Sequence, residues 1–516
     1  MSAKETPTHS FTTGDGRIAA LLERSGELAD LGAIGALAGW DQETAMPEGA
    51  AETRGQQFAT LEGLIHQKLT DPELGRLVNE LNNAVSGAGF TDADRGLVRQ
   101  SKREYDHATK LPLGLVQEMA KVRTSAVEAW RKARATSDFA VFAPWLVRTA
   151  TLQREVADRY GFTGTRYDAL MDLFEPDLTV AKVDPLFARV REISMRVLKK
   201  VQGSGHTVDT ASAHGSFPQA QQLQLCEDVL RGIGYDFSHG EMKQSTHPFT
   251  TSFGAPFDVR VTVRCQEDYL PASIMAAIHE GGHAVYEQGG DPALARTPLA
   301  GGASLGAHES QSRLWENAIG RSEGFWQGQW AAVRKVFPEK FASVEPGTFA
   351  KALNHVEPSL IRVEADEVTY NLHIIIRYEM EKAIVNDNVA VESLPGLWNA
   401  KYKEYLGIEP PTDAEGVLQD IHWSSGFGYF PTYTLGNLYG AQIYASLRHA
   451  FPDLDARLAK GDTAFALGWL REHMYTHGAV YLPEDLITRV TGEAPNPDFF
   501  AKYLDEKFSR VYGIAG

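Results

Sequence analysis

The sequence predicts a large, mainly α-helical protein with one small sheet, on two observations. Apolar side chains recur at steps of three and four along most of the 516 residues. A single stretch, Asp258-Val259-Arg260-Val261-Thr262-Val263-Arg264, alternates instead with period two and is rich in β-branched side chains, the mark of a strand. Residues 17–36 read as an apolar-striped helix that stops before Gly39. Thr91-Asp92-Ala93-Asp94 is a capping start for a long helix. After Pro112, Leu115, Met119, Val122, Ala126 and Ala129 share one helical face, and 144–160 and 183–203 continue the rhythm. Loops rich in Gly, Ser and Pro lie near 202–217 and 287–306. The strand directly precedes another helical stretch, so a small antiparallel sheet is expected beside that helix. No repeat, low-complexity tract or composition shift marks a boundary, and the chain reads as one cooperative body with a cleft.

The bulk properties narrow the function. Acidic residues number 67 against 50 basic ones, for a formal charge of −17. This disfavours nucleic acids and anionic membranes as partners, because both attract Lys and Arg. Only two cysteines occur, Cys226 and Cys265, which fits a reducing compartment. The first residues are polar with no apolar stretch, and no run of about 18 apolar residues occurs. A cytoplasmic location is the expectation.

The chemistry concentrates in His279-Glu280-Gly281-Gly282-His283. Histidines four apart on a helix present both imidazoles on one face, where they can share one ion. Glu280 projects to the flank, where it can reach a metal-bound water rather than the metal. Zinc accepts neutral imidazole, keeps a coordination position open in catalytic sites and acidifies a bound water to a pKa of about 7. An amphipathic helix with chance histidines explains the segment less well. Each glycine inside a helix costs roughly 0.8–1.0 kcal/mol relative to alanine, so two in succession imply that something approaches the backbone closely. The apolar run Ala272–Ile278 upstream points to a buried helix. A third protein ligand is needed, and Glu309 in His308-Glu309-Ser310-Gln311 is the candidate, with His308 its rival. Two histidines and a glutamate form a catalytic zinc set. Cobalt or manganese suits the same donors.

Five segments then occur in order: Asp258-Val-Arg260-Val-Thr262, the histidine motif, His308-Glu309-Ser310-Gln311, Ile361-Arg362-Val-Glu-Ala365-Asp366, and Gly416-Val-Leu-Gln419-Asp420-Ile-His422-Trp423. Together with Trp40-Asp41-Gln42-Glu43, Met46-Pro47 and Tyr167-Asp168-Ala-Leu-Met-Asp172, they resemble the carboxypeptidase Taq family of metallocarboxypeptidases along nearly the whole chain. The resemblance implies a mostly helical, saddle-like fold with a deep groove. It implies one metallocarboxypeptidase domain over 1–516, with about 1–200 as a groove wall and the zinc and substrate site at about 245–440. It implies release of single C-terminal residues from peptides with broad tolerance, and a homodimer. Residue by residue, His279, His283 and Glu309 become metal ligands and Glu280 the general base.

An exopeptidase must also grip a terminal carboxylate, for which the arginine fork is suited. Arg362 is the candidate, and a salt bridge to Glu364 or Asp366 is the bland alternative. Arg260 and Arg264 are weaker candidates. By analogy with related helical zinc peptidases, Tyr433 donates to the oxyanion, Tyr429 helps hold the carboxylate and His422 bonds the substrate backbone. Asp258 and Asp366 are candidates for orienting the histidine ligands. Two other functions compete. An oligoendopeptidase or dipeptidyl carboxypeptidase on a similar fold would share the metal motif. A peptide-binding scaffold with a structural zinc would need no Glu280, and neither cysteine has ligand spacing.

Overall fold

Helix after helix builds the chain, as the periodicity predicts, and the computed structural model describes residues 9–514. These residues form two compact units. The first comprises the chain up to Thr109, Asp209–Leu353 and Gly440–Pro495; the second comprises Lys110–Val208, Asn354–Tyr439 and the chain from Asn496. The first 200 residues thus divide between the units near the end of the helix Asp92–Lys110.

Local signals set most helix ends. Thr91 and Asp94 exchange side chain-to-backbone bonds of 2.8 and 3.1 Å at the start of Asp92–Lys110, a reciprocal cap. The helices Leu113–Thr136, Ala143–Tyr160 and Val180–Gln202 lie where the spacing puts them. The first helix differs: it spans Gly16–Thr44 and passes through Gly39. Packing overrides the local penalty there, because the next residue, Trp40, is buried with its ring edge-on to Phe249 and Phe253.

The period-two stretch forms strand β3 (Val259–Val263), flanked by β1 (Met242–Gln244) and β2 (Thr250–Ser252). The sheet is mixed and not wholly antiparallel. β2 runs antiparallel to β3, with Thr250 opposite Val261, but β1 runs parallel, with Met242 opposite Val261. The flanking strands have three residues each, too few to show alternation, so only the centre of the sheet was visible in sequence. Val259, Val261 and Val263 are fully buried.

This sheet lies beside the helix Pro271–Gln288, which carries the histidine motif. Pro271 starts it at a position where no N–H is needed. The helix is apolar nearly all round and is also packed by Gln219–Gly232 and Leu305–Arg313. The paired glycines explain how. A Cβ on Gly281 would stand 2.6 Å from Ile233 Cδ1 and 2.7 Å from Leu230 Cδ2. A Cβ on Gly282 would stand 2.8 Å from the Gln311 carbonyl oxygen and 2.8 Å from Ser312 Cα, which are backbone atoms.

The two glycines should therefore differ on substitution. Side-chain ends can rotate away from an alanine at 281, whereas the backbone beside 282 cannot move without separating two helices. Gly282→Ala should cost about 1–3 kcal/mol or more, the range for overpacking, and Gly281→Ala clearly less. Chemical denaturation of the two variants checks this, and equal losses would refute the backbone contact.

Candidate metal centre

The close approach at Gly282 brings Leu305–Arg313 across the motif helix, and Glu309 with it. Ser304 caps this second helix through a 2.9 Å bond from the Ala307 N–H. Glu309 Oε2 lies 3.7 Å from His279 Nε2 and 3.5 Å from His283 Nε2. The three donor atoms all fall within 4.8 Å of one another, and no other such cluster occurs among the described residues. Two imidazole nitrogens and one carboxylate oxygen fit a catalytic zinc site.

The far side of each candidate histidine ligand is held by a hydrogen bond at its Nδ1. His279 Nδ1 lies 2.9 Å from Glu316 Oε2. A carboxylate only accepts, so Nδ1 carries a proton, and in the neutral imidazole the lone pair is on Nε2. His283 is held through a longer relay. His308 Nε2 lies 2.6 Å from Glu287 Oε1 and His308 Nδ1 lies 2.8 Å from His283 Nδ1. Glu287 accepts a hydrogen bond from His308 Nε2–H, so with both rings neutral His308 Nδ1 accepts from His283 Nδ1–H, and the His283 lone pair is on Nε2. His308, the rival candidate, thus lies behind His283 and outside the cluster of donor atoms. Asp258 and Asp366 do not orient the histidines. Asp258 chelates Arg260, while Asp366 accepts from Val368 and Thr369 at the start of a helix.

Three side chains of one helical face, Glu309, Arg313 and Glu316, organise the carboxylates. Arg313 donates to Glu309 Oε1 at 2.7 Å and to Glu316 Oε2 at 3.2 Å, and Arg321 donates to Glu316 Oε1 at 3.0 Å. Glu316 sits on a π-helical turn, Leu314–Ile319, that continues the helix. Burial opposes ionisation of Glu309, yet Arg313 and the two histidines hold its carboxyl well below the usual range. Burial likewise opposes Glu316, and Arg313, His279 and Arg321 outweigh it. Burial pushes His283 down to about 4, so it is neutral, as a metal requires.

Glu280 is buried beside this cluster. Its Oε2 accepts the Thr250 hydroxyl of β2 at 2.7 Å, and Oε1 has no hydrogen-bond partner among the described residues. Burial raises its pKa, against the pull of His279 and the Thr250 bond.

The other sequence candidates gather in the second unit. Arg362 is buried, and its partner is Asp420 rather than Glu364 or Asp366, with Nε–Oδ2 at 3.0 Å and Nη2–Oδ1 at 2.8 Å. Its Nη1 also reaches the Tyr370 hydroxyl at 3.3 Å. The Arg362 guanidinium lies 5.3 Å from the ring centres of both Phe430 and Tyr433. His422 stacks parallel to Tyr429 at 6.1 Å, and Tyr429 meets Tyr433 edge-on at 5.1 Å. Arg260 is occupied by Asp258 and Glu241, and Arg264 is exposed. Sequence reasoning missed Thr250, Glu287, Arg313 and Glu316. The i, i+4, i+7 spacing from Glu309 offered a signal for Arg313 and Glu316; for Thr250 and Glu287 there was none.

Comparison with known proteins supplies an independent view. The model of the carboxypeptidase Taq (M32) metallopeptidase family matches residues 20–508. The chain is 40% identical over 504 residues to thermostable carboxypeptidase 1 of Thermus thermophilus, covering 96% of this chain and 98% of that one. It is 40% identical over 478 residues to carboxypeptidase 1 of Bacillus subtilis, covering 92% and 95%. The crystal structure of an M32 carboxypeptidase from Deinococcus radiodurans R1 superposes with a TM-score of 0.92 at 39% identity, covering 97% of this chain and all of that one.

The geometry ranks the metal-site variants. His279→Ala, His283→Ala and Glu309→Ala each delete a donor and should strip the metal. Glu316→Gln keeps the shape but not the charge behind His279, and should weaken metal affinity by about 10–100-fold. Chelator competition measures both classes; wild-type affinity in Glu316→Gln would show that this carboxylate does not tune the ligand.

Proposed function

Since this chain belongs to the carboxypeptidase Taq (M32) metallopeptidase family, a family of peptide hydrolases, we propose that it releases single C-terminal amino acids from peptides, with broad side-chain tolerance, using zinc held by His279, His283 and Glu309. The observation that carries the proposal is the convergence of these three donor atoms, with the buried Glu280 between the two histidines on the same helix. Zinc, when bound, polarises the scissile carbonyl and lowers the pKa of a water to about 7; cobalt or manganese fits the same donors.

Glu280 takes the proton of the attacking water. Thr250 supports this role by holding one carboxylate oxygen and leaving the other available, and burial supports it by raising the basicity. Tyr433 donates to the oxyanion; burial holds its pKa well above the ordinary value, so it remains a neutral donor. Arg362 binds the terminal carboxylate. Asp420 and Tyr370 engage three of its five N–H groups, which leaves one on each terminal nitrogen for a two-pronged grip. Tyr429 assists at that carboxylate and His422 bonds the peptide backbone. The family model runs through both units, which supports a single metallocarboxypeptidase domain. In this proposal the enzyme is a cytoplasmic homodimer whose partners are peptides with a free C-terminus, not nucleic acids or membranes. No helix among the described residues is long and apolar enough to cross a membrane.

Two measurements test the reading. Glu280→Gln should keep its metal and lose turnover by at least about 10²-fold; near-normal kcat would remove Glu280 from the mechanism. Time-resolved mass spectrometry of digests should show ladders losing one residue per step. Amidating the terminus removes a charge-assisted contact worth roughly 1.5–3 kcal/mol, so kcat/KM should fall at least about tenfold. Arg362→Ala with Asp420→Asn, which removes both buried charges together, should abolish the preference for a free terminus. Internal cuts, or equal rates on amidated peptides, would instead indicate an oligoendopeptidase; release of two residues per step would indicate a dipeptidyl carboxypeptidase.

A further inference from the structure

Three of the proposed peptide-binding side chains of the second unit, His422, Tyr429 and Tyr433, ride on one short segment, Ile421–Tyr433. His422 lies on a 3-10 turn, Tyr429 follows a loop with positive φ at Gly426 and Gly428, and Tyr433 is in the first turn of the helix Pro431–Ala450. Loops of this kind hold a geometry only if something beneath them fixes it.

One face of the helix Tyr370–Asp387 does so. Tyr370, Ile374, Arg377 and Glu381 recur on it at steps of three and four. Arg377 and Glu381 are almost wholly buried and paired through Nε–Oε1 at 2.8 Å. The Arg377 guanidinium carbon lies 3.3 Å from the centre of the Trp423 ring and 4.3 Å from that of Phe430. Glu381 Oε2 accepts the Gly428 N–H at 2.9 Å and the Tyr167 hydroxyl at 2.7 Å. A Cβ at Gly428 would stand 2.5 Å from the Leu170 carbonyl, so the loop is also pressed against backbone. The pair thus grips the segment at Trp423, Gly428 and Phe430, and each of His422, Tyr429 and Tyr433 is next to or packed on one of these. The His422 and Tyr433 rings meet Phe430 at 5.4 and 5.7 Å.

Stability alone does not account for this pair. A buried ion pair is often no better than well-packed apolar residues. Moreover, both terminal nitrogens of Arg377 are buried without a hydrogen-bond partner, which costs free energy. What the guanidinium offers that an alkyl chain does not is a rigid, flat cation that stacks on aromatic faces.

We propose that Arg377 and Glu381 are positioning residues of the peptide-binding site, holding His422, Tyr429 and Tyr433 at a fixed separation through Trp423, Gly428 and Phe430. This rests on the assignment of those three residues to the peptide. Neither Arg377 nor Glu381 touches substrate.

Arg377→Lys keeps the charge and loses the flat stacking surface. Glu381→Gln keeps an acceptor oxygen for Gly428 and Tyr167 and loses the charge, and it carries the same test if Arg377→Lys does not fold. Each should lower kcat/KM about 10–100-fold, the effect of misplacing reacting groups, with metal content unchanged. The discriminating readout is a double-mutant cycle with His422→Ala. Positioning through His422 predicts that the double variant is no slower than the slower single one. Fully multiplicative losses, a silent His422→Ala, or wild-type kcat/KM in a folded Arg377→Lys would each overturn the proposal. A wild-type enzyme that cuts only internally would sink the exopeptidase assignment while leaving this cycle measurable on internal cleavage.

Discussion

The approach of two helix backbones at Gly282 is the constraint on which the metal centre depends. Its position inside the histidine motif is not incidental. His279 and His283 fix two donors by helical period alone, but a third must come from another element within about 4 Å. Glutamate is short, so the helix that bears it must lie nearly in contact. A Cβ at 282 would collide with Gln311 and Ser312, the residues just past Glu309. The helix penalty of the glycine is the cost of that proximity.

Once Glu309 is buried next to the histidines, the charges around it follow. An isolated buried carboxylate would protonate, so Arg313 lies one turn further on to hold it ionised. Arg313 needs company in turn, and Glu316 and Arg321 complete an alternating row. Two guanidiniums face two carboxylates, so the row is balanced. The same row reaches His279 through Glu316 and sets its tautomer. The position and ionisation of Glu309 and the tautomer of His279 therefore belong to one network.

The fold class and the histidine pair of the candidate donor cluster were legible because they depend on local periodicity. A 3.6-residue repeat locates helices, and histidines four apart need no tertiary information. The glycine pair was legible for the same reason: its penalty is local even though its cause is not. What escaped the sequence depends on contacts between distant segments. Asp258 and Asp366 looked as suitable for orienting histidines as Glu316 and Glu287 do, since carboxylates in motifs carry no label for their partner. The parallel pairing of β1 escaped because three residues show no alternation. The end of the first helix escaped because Trp40 is held by Phe249 and Phe253, some 200 positions away.

The second unit shows how segments far apart in sequence can be one object. Ile361–Asp366 and Gly416–Trp423 look like separate signatures. In the fold, Gln419 Oε1 accepts the Arg362 backbone N–H at 2.8 Å, its Nε2 donates to the Tyr402 hydroxyl at 2.8 Å, and Asp420 takes the Arg362 side chain. Gln419 and Asp420 thus serve Arg362. This settles the orientation of the arginine within the fold. A free guanidinium would have to be ordered by the ligand, at the cost of rotamer entropy. Here Asp420 and Tyr370 fix its plane beforehand. The proximity of Asp420 weakens the net positive field around the guanidinium, so long-range attraction is sacrificed for geometry. In the role proposed for Arg362, selectivity for a free terminus would then rest on the direction of hydrogen bonds as well as on charge.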